Sequence, residues 1–458
     1  MTDGIKLVAS NPVATALLQN PSEDNVALAF AQAYGGTYVF PHGKDKWCRW
    51  DGTRWQEDET KTMLDTIRAL TRNYNPGGKA AFARSGFFSG VERILQTDRA
   101  FSRRLADFDR NNYLLNTPEG TYDLHTGERR EHDPLDKITK LTSCSPRSEG
   151  GKVFLKFVDE VTDGDKDLAD FLQTSLGACL SGAVEEHWLM VWIGSGRNGK
   201  NTLGDLVLDI MGDYAKVIPS STLMVQKNTE HKTELMNLRG MRLVVSGEIE
   251  QDAQWAEARM KELTGDTEIS GRFMRQDLVT FARTHKHLIY GNHRPQLKNT
   301  DTAVRSRMRL VPFNVSFAGR EDADLPRKLR LHKGFVLHWL MEGHARWVGQ
   351  GRKIGSCKAV DAETADYMSS QSSVEQWVIE CCEVSGDRGK PHSYWESGDV
   401  LYRSFCEWRE KKGETYVPLR VFGESLRTLY TRKRSNGMRY VGIKELKKPG
   451  NNACYQKK

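Results

Sequence analysis

Gly194-Ser195-Gly196-Arg197-Asn198-Gly199-Lys200 matches the phosphate-binding spacing G-x-x-x-x-G-K. Glycines at 194, 196 and 199 tolerate positive φ, so successive N–H groups can curl round an anion. Lys200 stands where a helix should begin, because Leu203, Leu206, Val207 and Ile210 recur at helical spacing. The positive end of the helix dipole and the ammonium would then face the same phosphate. Asn201 and Thr202 follow. A hydroxyl normally meets Mg²⁺ directly after the lysine, and Asn201 has none. An amide oxygen of Asn201, the Thr202 hydroxyl after a register adjustment, or an intervening water are three ways to meet a hard cation here.

Phosphate chemistry also needs an acid near the metal and water. Arg242-Leu243-Val244-Val245-Ser246-Gly247-Glu248-Ile249-Glu250 reads as a buried strand ending in carboxylates. At the carboxyl end of a strand beside the phosphate-loop strand, Glu248 is the first choice for holding Mg²⁺ or water, and Glu250 the second. Asn292 ends the apolar run His287–Gly291, where an amide can orient water or sense the γ-phosphate. Arg307, in Arg305-Ser306-Arg307-Met308-Arg309, could neutralise charge on a neighbouring subunit's nucleotide. A strand that merely ends in surface acids, or a solvated lysine on a turn, is the plainer reading of each piece. The order strand, loop, helix, acid, amide, arginine argues against it.

These groups need elements to carry them. The run Trp188–Ile193 is continuously apolar, as for a strand buried on both faces, and from 188 to about 317 such runs alternate with helical stretches. That pattern predicts an α/β domain with a largely parallel sheet. Residues 153–187 read as helical lead-in through Phe154, Phe157, Val158, Val161, Leu168, Phe171, Leu172, Leu176 and Leu180. Upstream, Trp50-Asp51-Gly52-Thr53-Arg54-Trp55 predicts one hairpin and Gly120–Arg130 another. Asp123 and His125 are better explained by turn stabilisation than by catalysis. Residues 60–110 read as helical, with Met63, Ile67 and Leu70 on one face. Ser145–Gly151 reads as a linker, and a second is expected around Gly349–Ala359. The expected division is a lead-in at 1–35, an accessory domain at 36–148, an ATPase domain at 149–345 and a basic domain at 360–458. In the last, helices at Val374–Cys382, Val400–Lys411 and Phe422–Tyr430 precede a strand pair near Arg439–Ile443, which suggests a winged helix.

Composition sets the outer limits. With 38% hydrophobic and 28% charged residues among 458, the chain can build two or three cores. Met1-Thr2-Asp3-Gly4-Ile5-Lys6 has neither the basic start nor the apolar core of a signal peptide, and no apolar run approaches membrane-spanning length, so the expectation is a cytoplasmic protein. The eight cysteines lack zinc spacing and read as free thiols. The net charge of +7 is uneven, since residues 401–458 alone carry about +10, which suits a polyanionic partner.

Residues 188–313 resemble the helicase core of the phage and plasmid primase–helicases, the satellite-phage and poxvirus type, within helicase superfamily 3. The matching pieces are Gly194–Lys200, Arg242–Glu248, Lys261-Glu262-Leu263-Thr264-Gly265-Asp266, Thr284-His285-Lys286, Asn292-His293-Arg294-Pro295 and Arg307–Phe313. Likeness extends to Trp50–Trp55, Gly120–Leu124 and the segment from Val374, about residues 36–450 in all. The resemblance implies an AAA+-like ATPase using ATP and Mg²⁺, assembling as a ring, usually a hexamer, around single-stranded DNA and moving 3′ to 5′. It implies phosphate contact by Lys200, a Walker B role for Glu248, a sensor in Asn292 and a finger in Arg307. It places a channel hairpin at Arg272–Asp277 and DNA contacts at Lys261, Arg272, Arg275 and Lys286. Many relatives of this type carry a primase ahead of the motor; with about 35 residues before the matching part, the expectation is a separate primase or polymerase partner. Two other readings are a nucleotide-gated DNA-binding or origin-loading protein that does not unwind, and a small-molecule P-loop kinase, which leaves the basic hairpin and residues 374–458 without a role.

Overall fold

A computed structural model describes residues 17–18, 22–73, 75, 78–225, 233–249, 253–272, 278–297, 302–384, 395–413, 416–434 and 438–446. The architecture is mixed α/β and separates into two compact units. One comprises residues 1–295 with 306–361, and the other 296–305 with 362–458.

The first unit begins with helix α1 (Glu23–Tyr34), whose N-terminus is capped by the Ser22 hydroxyl. Strands β1 (Tyr38–His42), β2 (Cys48–Trp50) and β3 (Trp55–Glu57) form an antiparallel meander. At its turn, Asp51 Oδ1 accepts from the backbone N–H groups of Thr53 and Arg54, and Trp50 lies opposite Trp55, as the sequence led us to expect. Helices α2 (Thr62–Asn73) and α3 (Ser85–Thr97) follow, with Met63, Ile67 and Leu70 buried. The helical reading of 60–110 then fails. Asp98 turns the chain, accepting from Ala100 N, and β4 (Ser102–Arg104) pairs parallel with β1. Strands β5 (Leu114–Thr117), β6 (Gly120–Asp123) and β7 (Arg129–Arg130) form a three-stranded antiparallel sheet, in which β6 and β7 are the expected second hairpin. Asp123 Oδ1 accepts from His125 N there, a turn contact.

Ser145–Gly151 is packed rather than loose. Arg147 N donates to Gly334 O at 2.9 Å, and a Cβ on Gly151 would fall on the Phe335 ring. Leu115 and Leu124 share one core with Phe154, Trp192 and Leu203, so the hairpin and the central sheet bury apolar surface together. Helices α4 (Lys152–Val161) and α5 (Lys166–Ala178) lead into that sheet.

The sheet consists of β8 (Leu189–Ile193), β9 (Ala215–Ile218), β10 (Leu243–Ser246), β13 (Lys286–Gly291) and β14 (Met308–Pro312), all parallel, in the order β14-β8-β13-β10-β9. Every residue of β8, β10 and β13 is buried, which explains the apolar runs Leu189–Ile193, Leu243–Val245 and Leu288–Tyr290 within them. Helix α6 (Lys200–Met211) follows β8, and α7 (Glu257–Gly265) precedes an antiparallel pair, β11 (Glu268–Gly271) and β12 (Val279–Ala282). Helix α8 (Lys333–Gly349) crosses α5 at two glycines. A Cβ on Gly177 would stand 2.6 Å from Leu340 O, and one on Gly343 would meet the Gln173 carbonyl.

In the second unit, α9 (Ser373–Cys381), α10 (Gly398–Lys411) and α11 (Leu419–Leu429) surround a core of Trp377, Phe405, Phe422 and Leu426. Strand β15 (Cys382–Val384) pairs with β19 (Ile443–Glu445), while β16 (Trp395–Ser397), β18 (Met438–Val441) and β17 (Arg432–Arg434) form a three-stranded antiparallel sheet. The seven cysteines among the described residues are free thiols. No helix among the described residues is long and apolar enough to cross a membrane.

Backbones this close leave no room for a methyl group. Gly177→Ala or Gly343→Ala should therefore lower unfolding stability by about 1–3 kcal/mol, read from the urea midpoint, whereas Gly349→Ala, which meets nothing within 4 Å, should not.

Candidate phosphate-binding site

Register brings the chemistry to one end of the sheet. Ile193, the last residue of β8, lies opposite Gly291 on one side and Pro312 on the other. Asn292 and Phe313 therefore flank Gly194, where the loop begins. Sheets of this kind bind ligands beyond the carboxyl ends of their strands.

The loop has the backbone its composition allows. Gly196 (φ 96°), Arg197 (φ 50°) and Gly199 (φ 82°) are left-handed, and α6 starts directly at Lys200. Gly199 is also packed closely, since a Cβ there would sit 2.6 Å from Val161 Cγ1. Asn198 is only 2% exposed and bridges the site. Its Nδ2 donates to Phe313 O at 3.0 Å, and its Oδ1 accepts from Lys200 Nζ at 3.0 Å. Phe317 N donates to Arg197 O at 2.8 Å, and Arg197 pairs with Glu321 at 3.1 Å. The segment after β14 is thus fastened along the loop.

Lys200 is 2% exposed and donates to Gly194 O at 2.9 Å, Asn198 Oδ1 at 3.0 Å and Asn292 Oδ1 at 3.2 Å. Burial pulls its pKa down to about 8, and the charge of Glu248 acts in the opposite direction. Lys200 and Asn292, chosen separately from sequence, therefore meet directly, and the charge of Glu248 is felt at the ammonium. Glu248 is exposed, and its backbone carbonyl accepts from Ser220 Oγ at 3.0 Å.

One expectation about neighbours is corrected. Strand β10, which leads to Glu248, does not lie beside β8; β13 is inserted between them, so Asn292 and not Glu248 ends the adjacent strand. Glu250 lies outside the described residues. Ser195 and Asn201, the latter on the first turn of α6, are exposed, and Thr202 is half-buried.

Arg307 is not brought to the loop. It precedes Met308, which lies opposite Leu189 at the start of β8, so a strand of about 16 Å separates it from Gly194. A Cβ on Gly265, at the end of α7, would stand 2.7 Å from Arg307 Nη2. Of the proposed DNA contacts, Arg272 is exposed just beyond β11 and Lys261 is half-buried on α7. Arg275 lies outside the described residues.

Lys286 is a second correction. It is 4% exposed, and its Nζ donates to Ala178 O at 2.8 Å and Ser181 O at 2.7 Å, so it satisfies the end of α5 and reaches no nucleic acid. Burial lowers its pKa to about 7. Arg242 plays a parallel part that the sequence reading missed, donating to Leu180 O and Leu114 O with its guanidinium over the Tyr214 ring. The signal available for both was a cation at, or directly before, the first position of a buried strand.

Comparison with known proteins gives two family models. Residues 27–163 match "D5 N terminal like", and residues 192–307 match a family described as of unknown function. Over 226 residues the chain is 27% identical to an Acanthamoeba polyphaga mimivirus protein provisionally named a helicase, covering 48% of this chain and 23% of that one. Over 355 residues it is 22% identical to an African swine fever virus protein provisionally named a primase, covering 71% and 36%. An Invertebrate iridescent virus 6 protein, also provisionally named a helicase, is 25% identical over 222 residues, with coverage of 46% and 23%. The chain thus spans roughly a quarter to a third of the length of these curated relatives. Among solved structures, the apo C-terminal region of NrS-1 is 11% identical with a TM-score of 0.49, covering 89% of this chain and 96% of that one.

The buried lysine at the other end of the sheet makes a pH test possible. Between about pH 7 and 10.5 the unfolded chain holds a proton on Lys286 that the folded chain has released, so this group makes stability rise with pH across that window. Lys286→Met should lose that component, with a flatter dependence of the urea midpoint on pH than the wild type. An unchanged slope would show that Lys286 stays charged in the fold.

Proposed function

We propose that this chain, which belongs to the phage and viral primase–helicase family, is an ATP-driven motor that separates DNA strands during replication. The observation that carries this reading is the Lys200 ammonium, buried at the carboxyl end of a parallel sheet and held by three oxygens from Gly194, Asn198 and Asn292. The parallel sheet with the loop strand flanked on both sides supports an AAA+-like core of the superfamily 3 type.

The residues present suit a nucleoside triphosphate. Left-handed Gly196 and Gly199 turn the loop into an anion nest, and phosphate oxygens can take the place of the neutral acceptors around Lys200. Lys200 then binds the phosphates, and Asn292, released from the ammonium, is free to orient water or to sense the γ-phosphate. Glu248 is the acid that polarises the attacking water. Mg²⁺, held by Glu248 with the Asn201 amide, the Thr202 hydroxyl or water, would neutralise charge on the phosphate oxygens.

Arg307 lies at the opposite end of β14 from its own loop, which supports a finger acting on the next subunit of a ring, by family likeness a hexamer. Single-stranded DNA would pass through the channel, with Arg272 on the β11–β12 hairpin touching phosphates and movement running 3′ to 5′. The second unit's helices and small sheet support a winged-helix reading. A primase or polymerase would be a partner.

Lys200→Ala should abolish DNA-stimulated ATP hydrolysis and strand separation. Wild-type protein without ATPase at any Mg²⁺ concentration overturns the motor. ATP-dependent assembly on DNA without hydrolysis would leave the origin-loading alternative, which the exposed amide at Asn201 favours. In mixtures, Arg307→Ala and Lys200→Ala subunits should show hydrolysis that depends on which neighbours they have; strictly proportional activity rules out the finger.

Lys200 also makes a protonic prediction. Free protein is partly deprotonated there above about pH 8, and a bound phosphate restores the proton. ATP binding at pH 8.5–9 should therefore take up protons, seen calorimetrically as a dependence of the binding enthalpy on the buffer's ionisation enthalpy, and lost in Lys200→Ala.

A further inference from the structure

The outer face of the β16-β18-β17 sheet carries an arrangement that folding alone does not favour. In register, Ser397 lies opposite Arg439, and Arg439 opposite Lys433. Trp395 lies opposite Val441, one diagonal step from Arg439 on the same face. The alternate residue, Tyr440, points the other way into the core with Phe422 and Leu426, and Glu396, opposite Tyr440, belongs to that inner side. The outer face therefore presents Trp395, Arg439 and Lys433 together.

Trp395 is 50% exposed, although an indole is among the costliest side chains to leave in water. The Arg439 guanidinium lies over it, 3.6 Å from the ring centroid, with half of the residue still exposed. Lys433 and Arg439 are like charges directly across the ladder, a pairing that costs stability. A run of phosphates would turn that repulsion into attraction, while an unstacked base could lie on the indole.

We propose that this face is a second nucleic-acid site, binding a single strand by base stacking on Trp395 and phosphate contact with Arg439 and Lys433. A duplex cannot use it in the same way, because its bases are stacked on one another and offer no free π-face. The site is separate from the phosphate loop and needs no hydrolysis.

The test uses the full chain without nucleotide, titrated into a fluorescently labelled oligo-dT strand, with anisotropy read at several salt concentrations. Trp395→Ala should weaken binding about 5- to 150-fold, the range for losing one base–aromatic stack. The Lys433→Ala/Arg439→Ala pair should lower the salt-dependence slope by about 1.4. Lys433→Glu, a change at an exposed edge position, should weaken binding further while circular dichroism and melting stay those of the wild type. DNA-independent ATP hydrolysis should be unaltered in all of them. Wild-type affinity and slope in folded variants, a wild type that binds no single strand, or a duplex of equal length competing as well as the single strand would each overturn the proposal. So would an affinity lost entirely in Arg272→Ala and untouched in Trp395→Ala. Absence of ATPase in the wild type would sink the motor but leave this site standing.

Discussion

Burying an ammonium is costly unless its donors are met, and around Lys200 they are met by oxygens from three separate places. Gly194 O comes from the end of β8, Asn198 Oδ1 from the loop and Asn292 Oδ1 from the end of β13. The arrangement holds only if those two strands end level, which is what the pairing of Ile193 with Gly291 provides. All three acceptors are neutral, so the ammonium keeps its full attraction for an anion. The donors are satisfied but not neutralised by direct contact, and burial is what pulls the pKa of the ammonium down, against the opposing charge of Glu248.

The amino end of the same sheet is held by the same means. Lys286 and Arg242, at or beside the first residues of β13 and β10, donate to carbonyls at and just after the end of α5 and, for Arg242, to Leu114 at the start of β5. Orphan carbonyls at a helix end must find donors, and here they find the buried side chains of Lys286 and Arg242. The α5–α8 crossing at Gly177 and Gly343 then closes over them. Hairpin, lead-in helices and sheet are consequently one body, which is why the packed Ser145–Gly151 segment does not divide them.

What could be read from sequence was what depends on neighbours in the chain. The strand–loop–helix order around Lys200, the turn at Asp51 and the apolar face of α2 are local patterns, and each stands as expected. What failed depends on distant partners. Lys286 looks like a surface cation until Ala178 and Ser181, more than 100 residues away, supply its acceptors. The insertion of β13 between β8 and β10 is a matter of sheet order, to which neither strand's composition responds. The three residues of β4 are too few to show alternation and are defined by their partner β1. Asn198 was recognised as part of the loop, but its double use as donor and acceptor appears only once Phe313 is beside it.

Strand β14 has Phe313 tied to the phosphate loop just beyond one end and Arg307 set against α7 just before the other, with five residues between them, each paired with β8. Such a strand is tolerant of changed side chains of similar size but not of changed length. Deleting one residue between 308 and 312 would bring Arg307 about 3.3 Å nearer the loop and turn it to the other face of the sheet. Over evolutionary time this segment should therefore drift in composition while admitting no insertion or gap, behaving as a ruler whose divisions can be repainted but not moved.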